Sequence, residues 1–558
     1  MKNVKLKYKN RYIDNIVPGT KLFEISKIVQ DEYKYPIVGA KLGEFNVGLN
    51  TEIKANNKVE FYDLSTTTGN RIYARSLEFL VTVAAKKVID ETSDILINYS
   101  LDNGIFCEIT GQRITKITVQ KIEEVMREMV QRQIPYQEMY VDRFEAINYF
   151  KKHHQMDKVE NLRFTTNRTI TLHSLDGVYD NFFGPLVYNT GVIDKFKIIY
   201  LKENSFIITY PGQNDPEHIK EYVHHKQTFD TYKAYQEWGR LIGISTVSDL
   251  NKLGTESIYD SAVDLFEAHY EDQLFEVSKK IKKEEDRIKI ILIAGPSSSG
   301  KTTTANKLSL YLKVQGITSY RISLDDYFVD RSKMPKDENG NYDFASIKAI
   351  DTRLFNDNLN KLLKGEKIRI PHYDFVSGEN TITDKTLQIK ENDVIIVEGI
   401  HTLNDELTKS IPRENKFKIF ISPLMHLKLD NHNRVHTTDV RKIRRIVRDN
   451  RTRGTKAEDT LKMWPNVDKE ARENIYPYQD DADEVINSSL GYELNVLRTY
   501  AEPLLYGIES SSKAYPEAIR LINLLRNFLP ITSEIVPKDS VLREFIGGGI
   551  EWKEWFKW

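Results

Sequence analysis

A glycine-rich segment that ends in lysine and threonine carries the strongest chemical signal in the sequence. It reads GPSSSGKT at residues 295–302 and matches the pattern G-x-x-x-x-G-K-[ST]. In this pattern the backbone N–H groups surround phosphates, the lysine reaches the β and γ oxygens, and the hydroxyl holds Mg²⁺. The sequence therefore predicts a site for a nucleoside triphosphate. The residues expected to bind it are Gly295, Ser297, Ser298, Ser299, Gly300, Lys301, Thr302 and Thr303.

Carboxylates follow two other apolar segments. Asp325 and Asp326 come after segment 320–324, and Glu398 comes after segment 394–397. If both segments are parallel strands, their carboxyl ends meet at the edge of the sheet where ligands bind. We expect the aspartates to face a small acceptor molecule and Glu398 to steady Mg²⁺. The alternatives are a helix-capping role for the aspartates and a surface position for Glu398.

A strongly basic segment lies further along the chain. Residues 441–453 read RKIRRIVRDNRTR, with seven basic residues and apolar residues at helical spacing. Arg445 and Arg448 share one helix face, and Arg453 precedes Gly454 at a joint. We expect a lid that brings guanidinium groups onto a transferring phosphoryl group. A solvated basic helix and a nucleic-acid contact are the alternatives.

The surrounding pattern indicates the fold. Strand-like segments at 290–293, 320–324 and 394–397 and a helical segment at 303–315 predict an α/β domain with a parallel sheet. The chain as a whole is long enough for several domains. We divide it into a small α+β module at 1–62, an α+β domain at 63–225, a helical linker at 226–285, the phosphate-loop domain at 286–500 and a helical extension at 501–558.

Composition excludes several functional classes. The 80 Lys and Arg residues balance 81 Asp and Glu residues, so no global positive field attracts nucleic acid or an anionic membrane. The single cysteine, Cys107, excludes an internal disulfide and fits a reducing compartment. No apolar run approaches the ~18 residues that indicate a membrane span. We expect a soluble cytoplasmic protein with no membrane role.

Four short motifs give the phosphate-loop domain a specific resemblance. SLDDYF at 323–328, PHYDF at 371–375, VEGI at 397–400 and RRIVRDNRTRG at 444–454 follow the loop in this order. Together they resemble the uridine kinase branch of the phosphoribulokinase/uridine kinase family. The resemblance implies a nucleoside kinase that uses ATP and Mg²⁺.

Residue roles carry over from this resemblance by position. Asp325 would be the general base for the nucleoside 5′-hydroxyl, while Glu398 and Thr302 would hold Mg²⁺. Lys301, Arg448 and Arg453 would act on the transferring phosphoryl group. The residues expected to contact substrate are Asp325, Tyr327, Tyr373, Arg445 and His401, of which Tyr373 would lie against the base. For His401, packing is an equal alternative.

The sequence departs from the family at the base-reading position. Uridine kinases have a histidine there that reads the pyrimidine edge, whereas this chain has Gly378. A basic residue expected just after the lid glycine is replaced by Thr455. Loss of the histidine predicts a wider and less strict pocket that accepts several nucleosides or a purine nucleoside. Glu379 or Asn380 is a candidate substitute contact.

The N-terminal half resembles the N-terminal region of threonyl-tRNA synthetases. Residues 1–62 are similar to its β-grasp TGS module, and residues 63–225 are similar to its second additional domain, the editing domain. The matching stretches of the editing domain are SLDNGIFCEI at 100–109 and DNFFGPLVYNTG at 180–191. At four positions the editing enzymes have an H-x-x-x-H pair, a cysteine and a histidine, whereas this chain has Phe79, Val83, Phe182 and Leu186. Apolar groups neither bind metal nor transfer protons. The resemblance implies a domain kept for binding, regulation or assembly.

These observations leave other functions open. One is an ATP-sensing regulator associated with RNA or the ribosome, which would use the N-terminal domains as its reader. Another is a kinase of the same family acting on a different small alcohol. We expect an RNA or regulatory ligand to be the partner of the N-terminal half, and a homo-oligomer to be the assembled form.

Overall fold

The computed structural model describes residues 3–90, 92–101, 104–202, 204–336, 340 and 342–552. The end of the C-terminal extension, residues 553–558, lies outside this range. Within the described part of the chain, no helix combines the length and apolar character needed to cross a membrane.

The first module is a mixed five-stranded sheet with one helix. Its strands have the order β2-β1-β5-β3-β4, and only β1 and β5 run parallel. The elements are β1 (Val4–Tyr8), β2 (Arg11–Ile16), α1 (Leu22–Val29), β3 (Ile37–Leu42), β4 (Phe45–Val47) and β5 (Asn57–Asp63). Alternate residues of β1 are buried, and they share one apolar core with Leu22, Ile25 and Val29 of α1.

The second region has two antiparallel sheets around a long buried helix. Their strand orders are β11-β12-β7-β6 and β10-β9-β8. The elements are α2 (Thr67–Val88), β6 (Asp94–Leu101), β7 (Gly104–Thr110), α3 (Lys116–Gln131), β8 (Gln137–Asp142), α4 (Arg143–Lys152), α5 (Met156–Arg163), β9 (Thr169–Leu175), β10 (Val178–Asp180), β11 (Lys197–Tyr200) and β12 (Ser205–Thr209). Phe79, Val83, Phe182 and Leu186 are all buried in one core cluster.

Three helices follow and join the core of the C-terminal half. They are α6 (Lys226–Leu241), α7 (Val247–Thr255) and α8 (Tyr259–Lys283). Apolar residues of α7 and α8 belong to the same cluster as the phosphate-loop domain. The Tyr270 hydroxyl lies 2.6 Å from Thr304 Oγ1, and Lys307 Nζ lies 2.7 Å from a carboxylate oxygen of Glu271. The segment that we expected to be a linker therefore packs as part of that domain.

A five-stranded parallel sheet with the order β14-β17-β13-β18-β21 forms the centre of the C-terminal half, as the sequence predicts. Strand β13 is buried throughout: Ile290 and Leu292 pack into one apolar cluster, Ile291 and Ile293 into another. A continuous apolar strand is what a sheet covered on both faces requires.

The elements of this half are β13 (Ile290–Ala294), α9 (Lys301–Val314), β14 (Ser319–Ser323), α10 (Thr352–Leu363), β15 (Ile368–Asp374), β16 (Glu379–Leu387), β17 (Val394–Glu398), β18 (Lys416–Ser422), β19 (Lys428–Asp430), β20 (Asn433–Arg434), α11 (Thr437–Arg453), α12 (Ala457–Asn474), β21 (Glu484–Asn487), α13 (Glu493–Tyr506), α14 (Tyr515–Leu525) and α15 (Arg543–Ile546).

A buried group of charges joins the two halves. Lys158 Nζ on α5 lies 2.7 Å from Asp180 Oδ1 and 2.8 Å from Asp430 Oδ1. His432 Nδ1 lies 2.6 Å from Asp180 Oδ2. All four side chains are almost completely buried. We call these four residues the interdomain charge cluster; the sequence analysis did not single out any of them.

Candidate active site

The phosphate loop lies where the central strand β13 meets α9. Gly300, at φ +87°, precedes the first residue of α9, and a Cβ on it would lie 2.5 Å from Val541 Cγ2. The Lys301 ammonium donates to the Gly295 carbonyl at 2.9 Å. The hydroxyls of Ser298 and Ser299 are buried and have no hydrogen-bond partner among the described residues. Free donors at a helix N-terminus provide a place for phosphate.

Glu398 and Thr302 meet beside this loop. The Thr302 hydroxyl donates to Glu398, 2.9 and 3.1 Å from its two oxygens. Burial raises the pKa of the Glu398 carboxyl. Burial lowers the pKa of the Lys301 ammonium, while Glu398 and Asp325 oppose that change. Two oxygen ligands side by side suit Mg²⁺, which usually takes only one or two protein ligands beside phosphate oxygens and water.

Asp325 follows β14 and completes this group of charges. It lies in a single helical turn, Leu324–Tyr327, that begins where the strand ends. The residue is exposed, yet desolvation by the surrounding protein raises the pKa of its carboxyl, whereas the Lys301 charge opposes the rise. Asp326, the next residue, faces away to His372, whose Nδ1 lies 3.0 Å from its Oδ1. The two aspartates therefore have different surroundings.

Two residues expected to contact substrate lie in the protein core. Tyr327 is buried, packs edge-on against Phe355 and accepts a hydrogen bond from Asn358 at 3.1 Å. His401 is also buried, and burial lowers its pKa to about 4, so its imidazole is neutral. Both side chains are therefore enclosed by protein. For His401 the packing alternative describes the structure.

Tyr373 belongs to an enclosed group of aromatic rings. Its ring lies edge-on to Phe328 and Phe375, at centroid distances of 5.5 and 5.0 Å. The Phe344 ring lies beside those of Tyr373 and Phe375. The Tyr373 ring is buried, whereas Phe375 is 55% exposed. A base entering this region would meet the exposed ring of Phe375 before that of Tyr373.

Gly378 adopts a conformation that suits glycine. Its φ is +79°, and a Cβ on it would lie 2.6 Å from the Arg331 guanidinium carbon. Arg331 donates to the Phe375 carbonyl at 2.6 Å. Asn380 uses its amide to donate to the carbonyls of Asp326 and Phe328, both at 2.8 Å. Arg331, which the sequence analysis missed, therefore fills the space next to the base-reading position.

The basic helix α11 lies directly on the phosphate loop. Arg441 Nε donates to the Ser297 carbonyl at 3.1 Å, and Arg444 Nη1 to the Ser298 carbonyl at 3.3 Å. Both arginines are fully buried, and Arg444 Nε pairs with Glu493 at 2.5 Å. This half of the predicted lid is packed core. The Arg444–Glu493 pair was not predicted, because its members are 49 positions apart in the sequence.

The outer half of α11 carries the three arginines predicted to act on phosphate. Asp449, buried within the helix, lies 3.1 Å from Arg445 Nε, 2.7 Å from Arg448 Nη2 and 3.5 Å from Arg453 Nη1. Arg445 Nη1 also donates to Ser297 Oγ at 2.8 Å. The helix ends at Gly454 with φ +64°, the joint expected there. One carboxylate thus gathers three guanidinium groups beside the loop.

The C-terminal extension reaches back to α9. Thr303 Oγ1 donates to Glu544 Oε2 at 2.8 Å, and the Thr303 N–H points at the same oxygen from 3.4 Å. Arg451 holds the carbonyls of Glu544 and Phe545 at 2.9 and 3.0 Å. A carboxylate therefore sits on the first turn of the helix that follows the phosphate loop.

The fold and the site define a phosphate-loop α/β enzyme with an acidic group opposite the loop. A family model described as "Phosphoribulokinase / Uridine kinase family" matches residues 290–490. Three relatives, each described as "Uridine kinase", align with this part of the chain. That of Bacillus pumilus is 35% identical over 179 residues, 32% of this chain and 75% of its own. That of Ureaplasma parvum is 33% identical over 177 residues, which are 31% of this chain and 75% of its own.

The third relative, from Staphylococcus haemolyticus, is 30% identical over 198 residues, 35% of this chain and 86% of its own. The chain belongs to the phosphoribulokinase/uridine kinase family, and its C-terminal half is a kinase domain. The aligned lengths leave the N-terminal half outside these matches.

Proposed function

We propose that this protein is a nucleoside kinase that transfers the γ-phosphoryl group of ATP to the 5′-hydroxyl of a nucleoside. The position of Asp325 carries the proposal: a carboxylate with a raised pKa stands at the strand end beside Lys301 and Glu398. The three relatives described as uridine kinases support the choice of acceptor.

Each residue has a distinct role in the transfer. Asp325 accepts the proton of the 5′-hydroxyl as that oxygen attacks the γ-phosphorus and the bond to the β-phosphate oxygen breaks, giving ADP and a nucleoside 5′-monophosphate. Lys301 and the arginines Arg448 and Arg453 balance charge that develops on the phosphoryl oxygens. Thr302 and Glu398 would hold Mg²⁺, which neutralises phosphate charge when bound.

The base pocket supports a relaxed specificity. Gly378 offers no side chain to the base, and the Asn380 amide is already engaged by two carbonyls. Phe375 is exposed for stacking, and Arg331 lies next to Gly378 with a guanidinium that can donate to a base oxygen or nitrogen. Arg331 is therefore our candidate for the residue that reads the base.

We predict that uridine, cytidine, adenosine, guanosine and inosine give kcat/KM values without a strict pyrimidine preference. Arg331→Gln should change the ratio between pyrimidine and purine nucleosides by about tenfold, the effect of one hydrogen bond to a charged group. Lys333→Gln, an exposed cation on the same turn, is the matched control. Strict uridine and cytidine specificity that survives Arg331→Gln would contradict this assignment. Gly378→His is a poor test because the backbone and Arg331 both oppose it.

We predict that Glu544→Gln tightens ATP binding. The Glu544 carboxylate accepts from the Thr303 hydroxyl and faces its N–H, donors that also suit phosphate, so two anions compete there. Removing the charge should lower the Kd for ATP about fivefold, or about 1 kcal/mol, in a partly solvated site. Isothermal titration measures this, with the exposed Glu534→Gln as control. Unchanged or weaker binding would show that Glu544 does not compete with the nucleotide.

For the N-terminal half we propose a TGS-like module at 1–62 and an editing-like domain at 63–225 that has lost its catalytic groups. Phe79 and Phe182 support this, because their rings pack together with centroids 5.0 Å apart. Apolar side chains at the four editing positions offer neither metal ligands nor proton-transfer groups. Within the described ranges, no cluster of three or more His, Cys, Asp or Glu residues is arranged to hold a metal ion.

A further inference from the structure

A large cavity lies between the N-terminal half and the kinase domain. Its volume is about 1290 Å³, and its walls come from β4, α2, β9, α14 and the first turn of α11. None of the described residues that line it belongs to the phosphate loop, and Asp325 is not among them. It is therefore separate from the proposed reaction site. We call it the interdomain cavity.

Arg75, on α2, is an incompletely paired cation in this cavity. Its Nη1 donates to the Pro185 carbonyl at 3.0 Å, and no carboxylate oxygen in the described ranges lies within 4 Å of it. Burial lowers the pKa of its guanidinium to about 10, and Arg520 and Arg71 contribute to this through repulsion, while Glu78 opposes it. Gly184, at φ +126°, lets the guanidinium approach, because a Cβ there would lie 2.8 Å from Nη1.

His173, on β9, supplies a second unsatisfied group. The ring is 2% exposed and lines the cavity, yet neither nitrogen has a hydrogen-bond partner in the described part of the chain. Its Nε2 lies 3.9 Å from Glu138 Oε2, beyond hydrogen-bond distance. Burial, together with the charge of Arg75, lowers the pKa of His173 to about 4. The ring is therefore neutral. Buried polar groups without partners are rare and call for an explanation.

We propose that the interdomain cavity binds a small organic anion. Its one charged group, a phosphate ester or a carboxylate, binds Arg75, and the neutral polar remainder of the molecule contacts His173. Charge-assisted bonds from a guanidinium to such oxygens are the strong ones available. Nearby carboxylates limit the ligand to one anionic group: Glu138 is close to His173, and Glu78 pairs with Arg434 at 3.2 Å. A second anionic group would be repelled by them.

This site is joined to α11 by ion pairs. Arg71 lies 2.9 Å from Glu517, and Arg520 lies 2.8 Å from both Glu517 and Asp439, which belongs to the first turn of α11. Arg71 and Arg520 are the cations that repel Arg75. Arg75 also attracts Asp439, so an anion bound to Arg75 changes the balance of charge at the first turn of α11.

The test uses the full chain with Lys301→Met, which weakens binding of anions at the phosphate loop. Glycerol 3-phosphate, D-gluconate and inorganic phosphate are titrated by calorimetry, representing a phosphate ester, a carboxylate and a bare anion. We expect at least one of the two organic anions to bind with a Kd of about 1 mM or tighter. Arg75→Gln should weaken that binding at least about tenfold. The identity of the binder distinguishes phosphate ester from carboxylate.

The exposed Arg163→Gln is the matched control and should leave binding unchanged. If Arg75→Gln lowers the melting temperature, Arg75→Lys replaces it and should give intermediate affinity. Ligand should also change the rate of hydrogen exchange in residues 437–453, and only when Arg75 is present. The proposal is overturned if neither organic anion binds, if binding is indifferent to Arg75, or if exchange in α11 does not respond.

Discussion

Asp325→Asn is expected to lower kcat by about 10²–10⁴-fold, the usual contribution of a general base. The substitution keeps the size and shape of the side chain but removes the carboxylate that we propose as the acceptor of the 5′-hydroxyl proton. ATP binding should change little, because the phosphate contacts come from the loop and α11. Steady-state kinetics with the preferred nucleoside and titration of ATP separate the two effects.

Asp326→Asn is the matched control for this substitution. Asp326 is the adjacent carboxylate, and its partner is the exposed His372. Its loss should reduce kcat by far less than the loss of Asp325. Equal losses from both substitutions, or normal turnover by Asp325→Asn, would show that the proton acceptor is another group.

Lys158→Met is expected to lower the free energy of unfolding by about 3–5 kcal/mol, the cost of leaving buried charges without their partner. Lys158 lies between Asp180 and Asp430, and burial together with these carboxylates leaves its pKa raised overall, although burial alone would lower it. Without its ammonium, two buried carboxylates lose the cation that lies between them and keep His432 as a close charged partner of Asp180. Urea unfolding followed by tryptophan fluorescence measures the change.

Lys252→Met provides the comparison for this prediction. Lys252 pairs with Glu160 of α5 at 3.2 Å, but its side chain is 35% exposed. An exposed pair of this kind contributes about 0–1 kcal/mol. If the two substitutions cost the same, the interdomain charge cluster does not stabilise the contact between the halves.

The parts of the fold that could be predicted from sequence are those with a local pattern. An apolar run before GPSSSGKT predicts a strand entering a phosphate loop, and β13 and α9 lie where this pattern places them. Asp325 and Glu398 could be assigned to one sheet edge because Asp325 comes shortly after one strand and Glu398 is the last residue of another. Parallel strands that share an edge bring such residues together without any knowledge of the loops between them.

The remaining features depend on contacts that have no local pattern. Thr303 and Glu544 are 241 positions apart, so no local sequence pattern near either residue predicts their hydrogen bond. An aromatic residue after a strand suits a cleft or a core equally well. The burial of Tyr327 and Tyr373 is decided by packing against Phe355 and Phe328, which the sequence does not display.

The hydrogen bonds around the phosphate loop have a consequence for how this kinase can be divided. The family match ends at residue 490, yet Glu493 anchors Arg444, Glu544 sits on α9, and Tyr270 contacts Thr304 from before the match begins. The stretch shared with relatives is therefore shorter than the stretch that folds. A fragment cut at the limits of the shared stretch would carry every motif but lose the side chains that hold them in place. A fragment for expression should therefore include α8 and α15.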